Sequence, residues 1–131
     1  MASLYKEISI DAPPEQVWDA VRDVGALHTR LVPGFVVKTE LEQDARVVTF
    51  GNGMVAREPI LSIDDGRRRL AWAATGGATT HYNAAVQVLA DGPGTRVVWI
   101  IDLLPNEAAA AVEAMQAQAL AVMKATLERK H

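Results

Sequence analysis

The chain has no cysteine. That removes a disulfide framework, thiol catalysis and any thiolate metal site. It also lacks an excess of one charge: thirteen Lys and Arg against sixteen Asp and Glu leave a net charge of −3. The sole basic run, Arg67-Arg68-Arg69, falls where a turn is expected, so it reads as a solvated hairpin tip. A nucleic-acid footprint needs many clustered cations, and none is present. No apolar run is long enough to span a bilayer, and Met1 to Glu7 lack the apolar core of a signal peptide. The expectation is a cytoplasmic protein with no nucleic-acid partner and no membrane insertion. His28, His81 and His131 are dispersed without paired spacing, so no metal site is expected. Ser9, Thr49 and Ser62 have no neighbouring base that would make a nucleophilic triad. Gly51-Asn52-Gly53 lacks the Lys-Ser/Thr and the following helix of a phosphate loop, and reads as a tight hairpin. No cofactor is implied.

Proline and glycine are absent after Pro105, and alanine is abundant there. The stretch from Asn106 to Arg129 therefore reads as one long helix, about 36 Å at 1.5 Å per residue. Asn106 is the expected N-cap, and Glu107 and Glu113 lie towards the positive end of the dipole. Lys124, Arg129 and Lys130 gather at the opposite end. Val112, Met115, Ala119, Val122, Met123 and Thr126 recur at helical spacing and form an apolar stripe. Glu113, Gln116, Lys124 and Glu128 are assigned to the polar face. A stripe this long needs a surface to cover it.

The preceding residues supply a sheet. Leu4 to Asp11 alternates as an edge-like strand and is stopped by Ala12-Pro13-Pro14. Pro14 at a first helical position, followed by Glu15, starts a short helix carrying Val17, Trp18 and Val21. A second short helix follows through Leu27 and His28, with Asp23 or a neighbour as cap. From Phe35 the period becomes two. Strands are expected over Phe35–Glu42, Ala45–Phe50, Met54–Ile63, Arg69–Thr75, Thr80–Ala90 and Thr95–Leu104, separated by Gly-, Asp- and Asn-rich turns. Seven strands in antiparallel succession should curl, and the long helix is large enough to close the concave side. With half of its 131 residues apolar, the whole of 1–131 is expected to be one domain with a real core.

At this point the residues resemble a known family. The opening Ile8-Ser9-Ile10-Asp11-Ala12-Pro13-Pro14-Glu15-Gln16-Val17-Trp18 looks like the start of the polyketide cyclase/dehydrase-like group. This group belongs to the START and Bet v 1-like (SRPBCC) superfamily. Arg57-Glu58-Pro59-Ile60-Leu61-Ser62-Ile63-Asp64-Asp65 resembles that group's R-E-R-L-x-x-L-D-D strand and turn. Arg67-Arg68-Arg69-Leu70-Ala71-Trp72 resembles its following strand. The resemblance covers essentially the whole chain. It implies an α+β helix-grip fold: a seven-stranded curved antiparallel sheet wrapped around a long C-terminal helix, with two short helices after strand 1. The hormone-receptor branch of that superfamily closes its ligand site with a proline-containing gate loop and a His-Arg-Leu latch. The corresponding turns here are Gly51-Asn52-Gly53 and Gly76-Gly77-Ala78-Thr79-Thr80, which carry neither motif.

The family's inward register, carried over at Glu58, points Met54, Ala56, Glu58 and Ile60 towards the helix. It does the same for Val48 and Phe50, for Trp72 and Ala74, and for Tyr82, Ala84, Val86 and Val88. The resulting candidate ligand-binding set is Val48, Phe50, Ala56, Glu58, Ile60, Trp72, Ala74, Tyr82, Ala84 and Val86 from the sheet. Met115, Ala119, Val122 and Met123 join it from the helix. Glu58 either stands as a carboxylate in an apolar cavity, able to act as acid or base, or pairs with Arg46 on the adjacent strand. Tyr82 either donates to a ligand carbonyl or packs on the helix with its hydroxyl at the rim. Trp99 and Asp102 lie on a strand apolar on both sides, so neither can be assigned a face.

The reading reached is a protein that binds or carries a small hydrophobic molecule between sheet and helix, as monomer or homodimer. One alternative is a cyclase or dehydratase with Glu58 as general base and Tyr82 steadying an enolate oxygen. Another is an interaction module with a filled core.

Overall fold

A computed structural model describes residues 1–129; Lys130 and His131, assigned above to the helix end and the terminus, lie outside the described residues. The chain opens with β1 (Ala2–Ile10), in which Leu4 and Ile10 are buried and Tyr5, Glu7 and Ser9 are exposed. Pro13, extended, leads into α1 (Pro14–Arg22). Pro14 occupies the first turn, where a missing N–H costs nothing, and Glu15 and Arg22 complement the two ends of the dipole. Its buried face carries Val17, Trp18 and Val21. The Trp18 indole N–H donates to Asp65 at 2.9 Å and Arg22 pairs with the same carboxylate at 2.8 Å, tying α1 to a distant hairpin turn.

The second short helix is a single wide π-turn, Leu27–Leu31, closed by Val32 N–H donating to Leu27 O at 2.9 Å. Asp23 does not cap it with its side chain. Its backbone carbonyl accepts from Ala26, and its carboxylate pairs with Arg30. Six strands follow: β2 (Val36–Glu42), β3 (Ala45–Phe50), β4 (Val55–Asp64), β5 (Arg69–Ala73), β6 (His81–Asp91) and β7 (Gly94–Leu104). With β1 they form one seven-stranded antiparallel sheet in the order β1-β7-β6-β5-β4-β3-β2, so β2 to β7 pair consecutively and β1 lies beside β7. The register slips between Val36 and Lys38 and between Ile60 and Ser62. Such bulges increase local twist and help the sheet curl.

The long helix begins differently from the expectation. Asn106–Ala108 form a tighter 3-10 turn, and α2 proper spans Ala109–Leu127, about 28 Å at 1.5 Å per residue. Asn106 makes no side-chain cap. Extended Pro105 supplies its carbonyl to Ala108 N–H at 3.0 Å, so the backbone of the 3-10 turn meets part of the need that a capping side chain would otherwise serve. At the far end, Lys124 donates to Ser9 O at 2.7 Å and pairs with Glu128, which in turn accepts the Asp11 N–H at 2.7 Å. These contacts fasten the end of α2 to the end of β1.

The interior has two parts. Ile10, Val17, Val88 and Val97 pack solidly near the β6–β7 hairpin. Buried Thr95 donates to Ala12 O at 2.7 Å and pins the chain there. Towards the opposite loop, Gly76–Thr79, the sheet and α2 diverge around a cavity.

Candidate functional site

The cavity measures about 280 Å³. That is near the lower end of small-molecule sites, roughly 300–1,000 Å³. Its walls come from every layer. The sheet contributes alternate residues of β3 to β7, α2 contributes Val112, Met115, Ala119 and Met123, and the π-turn contributes Leu27 and Leu31. Gly76, Gly77, Ala78 and Thr79 border it at the loop between β5 and β6. Gly76 and Gly77 both have positive φ, which favours glycine at those positions. Phe35 and Phe50 meet edge to face, ring centroids 5.7 Å apart, on the β2–β3 side.

Of the candidate set, Phe50, Ala56, Glu58, Trp72, Ala74 and Tyr82 line the cavity, as do Val86, Met115, Ala119 and Met123. Met54 lines it too. Four candidates do not. Val48 is fully buried in the packed core. Ile60 is half-buried at the point where pairing with β5 slips, so simple alternation fails there. Ala84 is flanked in register by Trp72 and Ile101, whose larger side chains form the wall around it. Val122 lies one position round the helix from Met123 and packs half-buried on the core.

The polar members are few. Arg46 and Glu58 are directly opposed across β3 and β4, and Arg46 Nε donates to Glu58 Oε1 at 2.8 Å. Both are buried, at 2% and 7% exposure. The Arg46 guanidinium lies 5.3 Å from the Trp72 ring centroid, a cation–π arrangement, and its Nη1 also donates to Val24 O. Glu58 is therefore a paired carboxylate rather than a free one. Burial pushes its carboxyl above the ordinary range, and the Arg46 charge and hydrogen bond pull the other way. Burial, reinforced by the Glu58 charge, also raises the Tyr82 phenol, so that hydroxyl stays neutral.

Several wall residues escaped the sequence reading, Gln116, Trp99 and Arg46 among them. Gln116, assigned above to the polar helix face, is 1% exposed and points inward, its amide N–H donating to Trp99 O at 3.0 Å. In an alanine-rich helix the apolar stripe is weakly defined, so residue type alone assigns a lone glutamine to the polar face although the helix turns it inward. Trp99 lines the cavity, and its ring lies 6.1 Å from that of Trp72. Arg46 was considered only as a partner of Glu58, not as part of the wall. Gln116 Oε1 and the indole nitrogens of Trp72 and Trp99 are buried with no hydrogen-bond partner among the described residues. Asp102 is on the other face of β7, where it accepts from the Ser3 hydroxyl. His28 contacts the Thr39 hydroxyl at 3.1 Å and is not part of the wall; His81 is half-buried on β6. Among the described residues no cluster of His, Asp and Glu could hold a metal ion, and no helix is long and apolar enough to cross a membrane.

A curled antiparallel sheet gripping a long C-terminal helix defines the helix-grip class. Within it, the chain belongs to the family described as polyketide cyclase / dehydrase and lipid transport, whose model matches residues 1–128. Solved structures share the fold. The protein XoxI from Bacillus cereus is 19% identical, with a TM-score of 0.86 over 97% of this chain and 96% of that one. The structure of Ara h 8.0201 is 16% identical, with a TM-score of 0.76 over 96% of this chain and 97% of that one. A START superfamily protein from Mycobacterium smegmatis is 13% identical, with a TM-score of 0.72 over 96% and 94%. No curated protein matches the sequence.

Proposed function

We propose that residues 1–131 act as one ligand-binding domain that holds or carries a small hydrophobic molecule between the sheet and α2. The observation that carries this reading is the cavity itself: aliphatic and aromatic walls with one compact polar end, Arg46, Glu58 and Tyr82. Burial of apolar ligand surface would supply the affinity, at about 25 cal/mol per Å² before ordering costs. Glu58 and Tyr82 would orient the ligand's polar group. The family description, which includes lipid transport, supports the same class of cargo. In this reading the protein works in the cytoplasm, as monomer or homodimer, without a cofactor.

Native mass spectrometry of freshly purified protein tests it. The expected result is a reproducible adduct of a few hundred daltons that is lost on denaturation. A bare protein that also fails to enhance the emission of Nile red, a neutral apolar dye, would overturn the reading.

A second reading, a cyclase or dehydratase with Glu58 as general base, is favoured by the raised proton affinity of that carboxyl. The Arg46 pair opposes it, because a guanidinium 2.8 Å away makes the carboxylate a weaker base. Glu58→Gln separates the two. Turnover on a carbonyl substrate would vanish in an enzyme, whereas a binding protein keeps its affinity within a few-fold.

A further inference from the structure

We propose that the open edge of β2 is a docking surface for a second copy of this chain, the two β2 strands pairing antiparallel about Thr39. The proposal does not depend on what the cavity holds.

The sheet ends at two edges, β1 and β2. The β1 edge is tied to the end of α2 through Lys124 and Glu128. On β2 the chain covers the start, where Val36 N–H donates to Val32 O at 3.0 Å. Beyond it, Lys38, Glu40 and Leu41 are exposed, and the π-turn meets the strand at the Thr39 hydroxyl through His28. The pairing fixes which backbone groups point outward. Ile60 N–H donates to Asp44 O at 2.8 Å, so in the β3–β4 register Arg46 and Val48 turn their backbone groups towards β4. Ala45, Val47 and Thr49 therefore bond β2, at Glu42, Glu40 and Lys38. Thr39 and Leu41 are left with N–H and C=O facing away from β3, and neither backbone is hydrogen-bonded elsewhere among the described residues. A row of this kind is a template for another strand.

The side chains favour a copy of the same strand. Two identical strands pair antiparallel about a two-fold axis, which closes the assembly at two subunits. Outward backbone groups meet when the axis passes through Thr39, Glu40 or Leu41. An axis at Glu40 opposes Glu40 to itself, and an axis at Leu41 opposes Glu40 to Glu42. Like charges directly opposite are destabilising. An axis at Thr39 instead places Lys38 of each copy opposite Glu40 of the other. Lys38 and Glu40 already share one face, 2.9 Å apart within the chain, so the two copies form a square of alternating charge. Val37 and Leu41, exposed at 54% and 63%, flank the pairing and meet across it. An interface of a few edge residues is small, so the dimer is weak and concentration-dependent.

Analytical ultracentrifugation of the full chain, up to about 1 mM, tests the proposal. The expected result is a monomer–dimer equilibrium that weakens as salt is raised. Glu40→Lys and Lys38→Glu should each weaken the dimer about tenfold or more, because both oppose like charges across the axis. Mixing the two variants should restore dimer, one copy carrying two cations and the other two anions. Thr39→Pro, which removes an outward N–H that β3 does not use, should abolish pairing while the sheet stays folded by circular dichroism. A wild type that is monomeric throughout the range would overturn the proposal. A dimer indifferent to the charge reversals, a mixture no more dimeric than its components, or a dimer that survives Thr39→Pro would overturn it too. None of these results bears on whether the cavity takes a ligand, which the adduct measurement decides separately.

Discussion

Arg46 and Glu58 show how one residue pair sets the character of an interior. Each charge alone would be untenable at this depth; together they are tolerated because the hydrogen bond, the Val24 carbonyl and the Trp72 face replace water. Arg46→Met should therefore cost about 3–5 kcal/mol in urea unfolding, since it strands the Glu58 carboxylate. Replacing both residues by leucine and methionine should recover much of that loss. Proton linkage gives a second expectation. Burial lifts the Glu58 carboxyl above its ordinary value of 4.5, so between that value and the raised one the folded state binds a proton more readily than the unfolded chain. The stability owed to protonated Glu58 is thus complete below 4.5 and is lost as pH rises through the raised value. The stability of the native protein relative to Glu58→Gln should accordingly fall as pH is raised from 4.5 through the raised value, and level off above it. A difference that stays flat with pH would show that Glu58 titrates as an ordinary glutamate.

At the scale of elements, the shape of the cavity depends on how hairpins and helix ends are held. Gly51, after β3, brings its N–H to Phe35 O at 2.9 Å, and a Cβ there would stand 2.5 Å from Gly34 O. That contact is with backbone, which cannot swing aside. Gly51→Ala should destabilise by about 1–3 kcal/mol, the usual cost of overpacking, and displace Phe35 at the cavity wall. The far end of α2 is secured by Lys124 and Glu128 to the end of β1. Glu128→Ala removes the acceptor of the Asp11 N–H, so that amide should exchange with deuterium faster while amides in the middle of β1 remain protected. The chain order of these elements was legible beforehand because turns and strand alternation are local properties. Ala45–Phe50 matches its expected bounds, and the other strands differ by a residue or two at their ends. The π-turn and the 3-10 entry to α2 were not legible, because both are set by how the backbone meets neighbouring layers rather than by residue preference.

For the molecule as a whole, the decisive feature is that the interior is packed at one end and open at the other. Small residues lie on the open side: Ala56, Ala74 and Ala119 line the cavity, where larger side chains would fill it. Ala74→Leu should occupy part of that space. Thermal or urea unfolding is expected to show a gain of about 0.5–2 kcal/mol, as for other cavity-filling changes, together with loss of the co-purifying adduct. A variant that gains stability yet keeps the adduct would place the ligand elsewhere.

The sequence by itself determined the order of strands and the presence of a long helix, since periodicity, turn residues and alanine content act over a few neighbours; the inward register at Glu58 came with the family resemblance. Only the tertiary structure decided which way β7 and α2 face. On β7, Val97 to Ile101 are apolar apart from the Trp99 indole N–H, so Trp99 inside and Asp102 outside follow from pairing with β6 and β1. On α2, alanine suits either side, so the burial of Gln116 follows from how the helix lies across the sheet. A helix rich in alanine carries little information about its own rotation, and the inward placement of Gln116 arises from that rotation.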